Sequence, residues 1–211
     1  MPLPPRESFR RLRDGNQRFV ANVRQPESLH LTDGDRAALA RSQEPHAIIL
    51  GCSDSRAPAE LIFDQGLGDL FVIRVAGNIV APSQIGSVEF AAAQFNTRLV
   101  VVLGHSQCGA VTSSLAHLKS GSPNPSPNIR FIVSRVGKAI APLLDGGPQD
   151  PQELLAAAVR ANVRASCSKL RSGSVVLERL IRQEGLVVLG AEYSIATGAV
   201  DFFDGLPDGW D

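Results

Sequence analysis

Four short apolar runs punctuate the chain: Ala47-Ile48-Ile49-Leu50, Leu70-Phe71-Val72-Ile73, Leu99-Val100-Val101-Val102-Leu103 and Leu186-Val187-Val188-Leu189. An apolar run without alternation marks a strand that is covered on both faces. Helical segments lie between the runs, at about Pro58 to Asp64, Ser83 to Phe95 and Cys108 to Lys119. This alternation predicts an α/β fold, a mostly parallel β-sheet flanked by helices. The last apolar run and Ala199 to Phe203 are expected to finish an edge of that sheet near the C-terminus.

The ends of the chain read differently. From Arg6 to about Asn22, Phe9, Leu12, Phe19 and Val20 sit among charges at loosely helical spacing, the pattern of an amphipathic arm. No groove for such an arm is evident in its own chain, so it is expected to lie on a second subunit. Thr32-Asp33-Gly34-Asp35 resembles a capping box and predicts a second helix that runs to about Gln43, before Pro45. Ser120 to Asn128 reads as a surface loop too short for a domain linker. Asp150-Pro151-Gln152-Glu153 opens a long helix whose stripe of Leu155, Val159, Val163, Cys167 and Leu170 puts Cys167 on its buried face. The expected organisation is therefore one domain over 1–211, with a helical arm at 1–45 and an α/β core at 46–211.

Composition narrows the function. The chain has 211 residues, 44% of them hydrophobic, enough for one core. Formal net charge is zero and aromatic residues are 5%, which excludes the basic, aromatic-rich surface of a nucleic-acid binder. No apolar stretch reaches the roughly 18 residues that span a bilayer, so no membrane partner is expected. Three cysteines give no dense disulfide framework, which favours a reducing compartment or a metal. The cytoplasm is the expected location, or the periplasm if a leader has been trimmed.

Two buried runs end in polar clusters, Gly51-Cys52-Ser53-Asp54-Ser55-Arg56 and Gly104-His105-Ser106-Gln107-Cys108-Gly109. Ligands bind at the carboxyl ends of strands in open parallel sheets, so both clusters should face one crevice. Two thiols and an imidazole form a three-donor set suited to Zn²⁺, with the fourth tetrahedral position left to water, as in a catalytic site. A zinc held there lowers the pKa of that water to about 7, and the resulting hydroxide is the expected nucleophile. Asp54 could bind the metal itself or accept a hydrogen bond from the nucleophile. Pairing with Arg56 favours the second role, because it holds the carboxylate off the metal and ionised.

Cys-Ser-Asp-Ser-Arg followed by His-x-x-Cys resembles the signature of the β-class carbonic anhydrases. The likeness extends through Phe63-Asp64-Gln65-Gly66, Phe71-Val72-Ile73-Arg74 and Ala76-Gly77-Asn78 to the N-terminal arm, and is weakest from Ser120 to Gly185. It implies reversible hydration of carbon dioxide to bicarbonate and a proton, with one Zn²⁺ per chain on Cys52, His105 and Cys108. Asp54 and Arg56 are the implied catalytic pair, with Asp54 on the metal only in a closed, inactive state. Gln43 matches a side-chain donor to substrate, the Gly109 N–H matches a second donor, and Phe71 and Phe90 match the apolar carbon dioxide pocket. Phe90 departs from the tyrosine often found there. Ile49 stands where one subgroup carries a tryptophan for a regulatory bicarbonate site, so the plant-like subgroup with an open active site is expected. The resemblance also implies a four-stranded parallel core and a homodimer or dimer of dimers, in which Gln43 or the pocket phenylalanines are expected to serve the neighbouring subunit's zinc.

Two other readings remain open at this level: a zinc hydrolase of the same fold acting on carbon disulfide or carbonyl sulfide, and a structural-zinc binding module. The second needs a fourth permanent ligand, for which only Asp54 is at hand. A serine hydrolase is excluded, since Gly104-His105-Ser106-Gln107-Cys108 lacks the final glycine of a nucleophile elbow and no suitable histidine follows. His30, His46 and His117 read as loop, strand-entry and helix-face residues, and Gly66-Leu67-Gly68 as a turn.

Overall fold

In the computed structural model, which describes residues 3–24, 32–121 and 126–210, the four apolar runs become β1 (Ala47–Gly51), β2 (Leu70–Arg74), β3 (Leu99–His105) and β4 (Val187–Tyr193). A fifth strand, β5 (Val200–Asp204), closes the expected edge. The order across the sheet is β2-β1-β3-β4-β5. The first four strands are mutually parallel, and β5 runs antiparallel to β4.

Every residue of β1 and β3 is buried, because helices cover both faces. Side chains alternate between the faces. Ile48, Leu50, Val100 and Val102 pack with Val88 of α4 (Pro82–Gln94), Val163, Cys167 and Leu170 of α8 (Pro151–Ser172), and Leu177 and Leu180 of α9 (Val175–Gln183). Ile49, Val101 and Leu189 face the other way, onto Phe9 and Leu12 of α1 (Pro5–Val20) and Ile62 of α3 (Ala59–Ile62). The approach of α8 is close: a Cβ on Gly104 would stand 2.5 Å from Val163 Cγ2. Cys167 is fully buried on α8, as its position in the stripe predicts.

The arm departs from expectation. Helix α1 lies on its own chain, with Leu12 fully buried and Phe9 edge-on to Phe202 at 5.0 Å. Asn16 Nδ2 donates to the carbonyls of Ile62 and Gly198, and a Cβ on Gly15 would meet Phe63 O at 1.8 Å. The groove consists of Phe63, Phe202 and Trp210, drawn from distant parts of the chain, so no local pattern discloses it.

Helix α2 (Asp33–Leu39) has the expected capping box, with Asp35 N donating to Thr32 Oγ1, but stops short of Gln43. None of its residues is buried, so no packing prolongs it. Helix α3 is also shorter than predicted. Helix α5 (Gly109–Ser120) and α6 (Pro127–Ile140) narrow the expected loop from both sides. α6, the short α7 (Pro142–Gly146) and α9 have no predicted counterpart. His46 enters β1 with Nε2 2.8 Å from Gln65 Oε1, and His117 lies on α5. His30 lies outside the described residues.

If α1 is held by its own chain, Leu12→Ala costs about 2–5 kcal/mol in urea unfolding. That cost is the same at low and high protein concentration, whereas packing on a second subunit makes it depend on concentration.

Candidate metal centre

Strands β1 and β3 are adjacent and in register, with Gly51 opposite Leu103. Cys52 leaves the end of β1, His105 is the last residue of β3, and Cys108 caps the N-terminus of α5. All three are buried, and one donor atom from each lies within 4.8 Å of the others. Among the described residues, this is the one group of three or more His, Cys, Asp or Glu side chains close enough to share an ion.

The histidine is preset as a ligand. Its Nδ1 lies 2.9 Å from the Ser106 carbonyl, to which it donates, leaving the Nε2 lone pair free. Nε2 is buried without a hydrogen-bond partner. A buried polar atom left alone is costly, and a divalent ion between Nε2 and the two sulfurs removes that cost. The donor set therefore fits zinc.

The surroundings favour positive charge. In the bare protein the two sulfurs compete for one proton. Cys52 is pulled toward thiolate by its contact with Cys108, against the opposing effect of burial, and Cys108 is pushed up by the same contact. Burial works against a charged His105 ring, yet the Cys52 sulfur, the Ser106 carbonyl and Asp54 together raise its pKa.

Asp54 sits beside this trio but belongs to Arg56. Arg56 Nε and backbone N each donate to Asp54 Oδ1 at 2.9 Å, and Nη2 donates to Oδ2 at 2.7 Å. This bond, outweighing desolvation, holds the Asp54 carboxyl well below the usual carboxylate range. Asp54 Oδ2 stands 3.8 Å from His105 Nε2, at the edge of the donor cluster.

Several supports were not singled out from sequence. Arg74 Nε donates to the Cys52 carbonyl at 3.0 Å and its Nη2 to the Asp54 carbonyl at 2.6 Å, fixing the loop after β1. The Gly77 N–H donates to Cys52 Sγ at 3.3 Å. Ser106 is structural, its N–H donating to the Tyr193 carbonyl and its Oγ accepting from Ile195 N. These contacts join residues remote in sequence, so only Arg74 and Gly77, inside the family-like segment, carried any signal.

The residues expected to meet substrate divide. Gly109 opens α5 beside Cys108 and is exposed. Phe71 is opposite Ile48, four positions short of Cys52, which places it about 13 Å back along the strand. Phe90 is 55% exposed, 6.2 Å from Phe71 and 5.9 Å from Phe95 between ring centres. Gln43 is exposed in the loop before β1, lining a cleft with Phe95 and His46. Gln43, Phe71 and Phe90 thus gather beside the β2 edge, away from this chain's own donor trio.

Comparison with known proteins agrees with this geometry. A family model described as carbonic anhydrase matches residues 47–200. The chain is 37% identical over 194 residues to carbonic anhydrase 2 of Mycobacterium tuberculosis, covering 92% of this chain and 90% of that protein. It is 38% identical over 206 residues to a carbonic anhydrase of Mycolicibacterium smegmatis, covering 97% and 96%. Among solved structures, the β-carbonic anhydrase CcaA superposes with a TM-score of 0.74 at 26% identity, over 96% of this chain and 94% of that one. One of two tetrameric β-carbonic anhydrases from Sordaria macrospora gives 0.72 at 25% identity, over 80% and 85%.

The third cysteine offers a test of the burial pattern. Burial pushes the Cys167 thiol up to about 12. At pH 8 only roughly one part in ten thousand is thiolate, so Cys167 in the folded, metal-loaded protein resists a thiol reagent and reacts only in denaturant. Mass mapping of the labelled cysteine checks this.

Proposed function

This chain belongs to the β-carbonic anhydrases, zinc enzymes that reversibly hydrate carbon dioxide to bicarbonate and a proton, and we propose that Cys52, His105 and Cys108 hold its zinc. The observation that carries the assignment is His105 Nε2, buried, unpartnered and within reach of both sulfurs. Bound there, zinc supplies a Lewis acid that makes water nucleophilic at neutral pH.

The chain's own residues then have distinct tasks. Asp54, kept ionised and aimed by Arg56, accepts a hydrogen bond from the attacking water and so orients its lone pair toward carbon dioxide. The depressed Asp54 pKa keeps the carboxyl ionised, and so an acceptor, at neutral pH. The Gly109 N–H, at the positive end of α5, donates to the oxygen on which charge develops. The fork between Arg56 and Asp54 supports the plant-like, open form of the site, as does Ile49 in place of tryptophan.

The position of Gln43, Phe71 and Phe90 supports a homodimer in which one subunit's aromatic wall and amide donor complete the partner subunit's pocket. About 13 Å of strand separates Phe71 from its own metal site, too far for it to line that pocket. On this reading the whole chain, arm and core together, acts as one catalytic domain, and pairs of dimers are compatible with it. Three free cysteines support a cytoplasmic location. Among the described residues, no helix is long and apolar enough to cross a membrane.

Two measurements test these roles. Arg56→Ala and Asp54→Ala keep zinc by elemental analysis and lose at least about tenfold in stopped-flow hydration, while Cys52→Ala loses the metal; full activity in the Arg56 variant refutes the role of the pair. A refolded mixture of Cys52→Ala and Gln43→Ala chains regains activity that neither has alone, because the heterodimer holds one intact site. Absence of complementation places Gln43 at its own chain's metal or away from the reaction.

A further inference from the structure

The sulfur of Cys52 accepts a hydrogen bond from a backbone group whose conformation is held from the opposite side. That group is the Gly77 N–H, 3.3 Å from Sγ, in a short 3₁₀ turn at Ala76–Asn78. Gly77 has φ +70°, and a Cβ there would stand 3.1 Å from Ala110 Cβ and 3.3 Å from Val136 Cγ2. The next residue, Asn78, also has positive φ, at 41°. Two successive left-handed residues, one of them not glycine, persist only where their surroundings fix them.

The fixing groups come from α8. Asn162 Nδ2 donates to the Gly77 carbonyl at 2.7 Å, and Ser166 Oγ donates to the Asn78 carbonyl at 3.0 Å. The two residues are four apart, hence on one helical face, and both are buried. Their acceptors are the two carbonyls that must turn if Gly77 and Asn78 relax to negative φ. On the sheet side the turn is anchored by Val75 N donating to the Gly51 carbonyl at 3.2 Å and Asn78 N donating to the Val75 carbonyl at 3.0 Å.

We propose that Asn162 and Ser166 are positioning residues for the metal centre: from α8 they lock the Gly77–Asn78 turn so that the Gly77 N–H points at Cys52 Sγ. This rests on Cys52 as a metal ligand. A hydrogen bond to a ligating thiolate withdraws charge from the sulfur and fixes its direction, and so tunes the ion that the sulfur binds. Neither residue touches metal or substrate. Both reach the reaction only through the Gly77–Asn78 turn.

The test uses full-length protein loaded with zinc, or with cobalt(II) as a spectroscopic probe. Ser166→Ala and Asn162→Ala shift the thiolate-to-cobalt charge-transfer band and release zinc to a competing chelator about tenfold faster than the parent. Ser166→Thr, which keeps the hydroxyl, retains the parent band and release rate. Cys167→Ala, one residue along the same helix and equally buried, lowers thermal stability without moving either readout. Should Asn162→Ala fail to fold, Ser166→Ala decides alone. An unshifted band in Ser166→Ala, or an equal shift in Cys167→Ala, overturns the proposal. A parent protein with no thiolate band ends the assignment of Cys52 itself, and this inference with it.

Discussion

Strands β1 and β3 run side by side in one direction and in register, Gly51 beside Leu103. Parallel pairing brings strand ends of the same kind together, so the residues after Gly51 and those ending β3 leave the sheet on the same side. Antiparallel pairing would send them to opposite edges. One backbone register therefore converts two separate sequence motifs into a single cluster of two sulfurs and an imidazole. The strands are pinned there by burial on both faces, which ties the metal centre to the hydrophobic core.

Electrostatics explains the rest of the centre. A buried Cys52 sulfur drawn toward thiolate, a neighbouring Cys108 sulfur that holds the proton and an imidazole nitrogen with no partner are expensive in a low-dielectric interior, and a divalent cation would make the three mutually stabilising. Asp54 adds negative charge at the rim, where Arg56 takes it up through three hydrogen bonds. The two arrangements share one logic. His105 Nε2 has no protein partner, while the hard carboxylate of Asp54 is given one in Arg56, so a divalent ion would fit among the two sulfurs and the imidazole with the carboxylate held to one side.

Support for the centre comes from the whole thickness of the fold. Arg74 on β2 holds the loop that carries Cys52 and Asp54, and the end of β4 holds Ser106 beside His105. Helix α8 reaches the Gly77 turn from behind. On the β2 edge Phe71, Phe90 and Phe95 lie tilted or edge-on to one another, beside the cleft that Gln43 lines.

By itself the sequence determined the strands, named the candidate donors and narrowed the reaction. Uninterrupted apolar runs suit only a sheet covered on both faces, and a Cys, His, Cys set with an Asp-x-Arg pair limits the chemistry to a few zinc reactions; both are local properties. Tertiary structure decided the seat of α1, which depends on a groove made by Phe63, Phe202 and Trp210, residues with nothing in common along the chain. It decided the ends of α2, which has no buried residue to extend it, and the courses of α6 and α9. Only in three dimensions did Arg74, Asn162 and Ser166 come to brace the loops around the trio, and Phe71 come to lie about 13 Å from its own chain's donors. Hydrogen bonds across 85 or 88 positions, such as those from Asn162 to Gly77 and from Ser166 to Asn78, leave no periodic trace, because their energy depends on distances that exist only after the chain has folded.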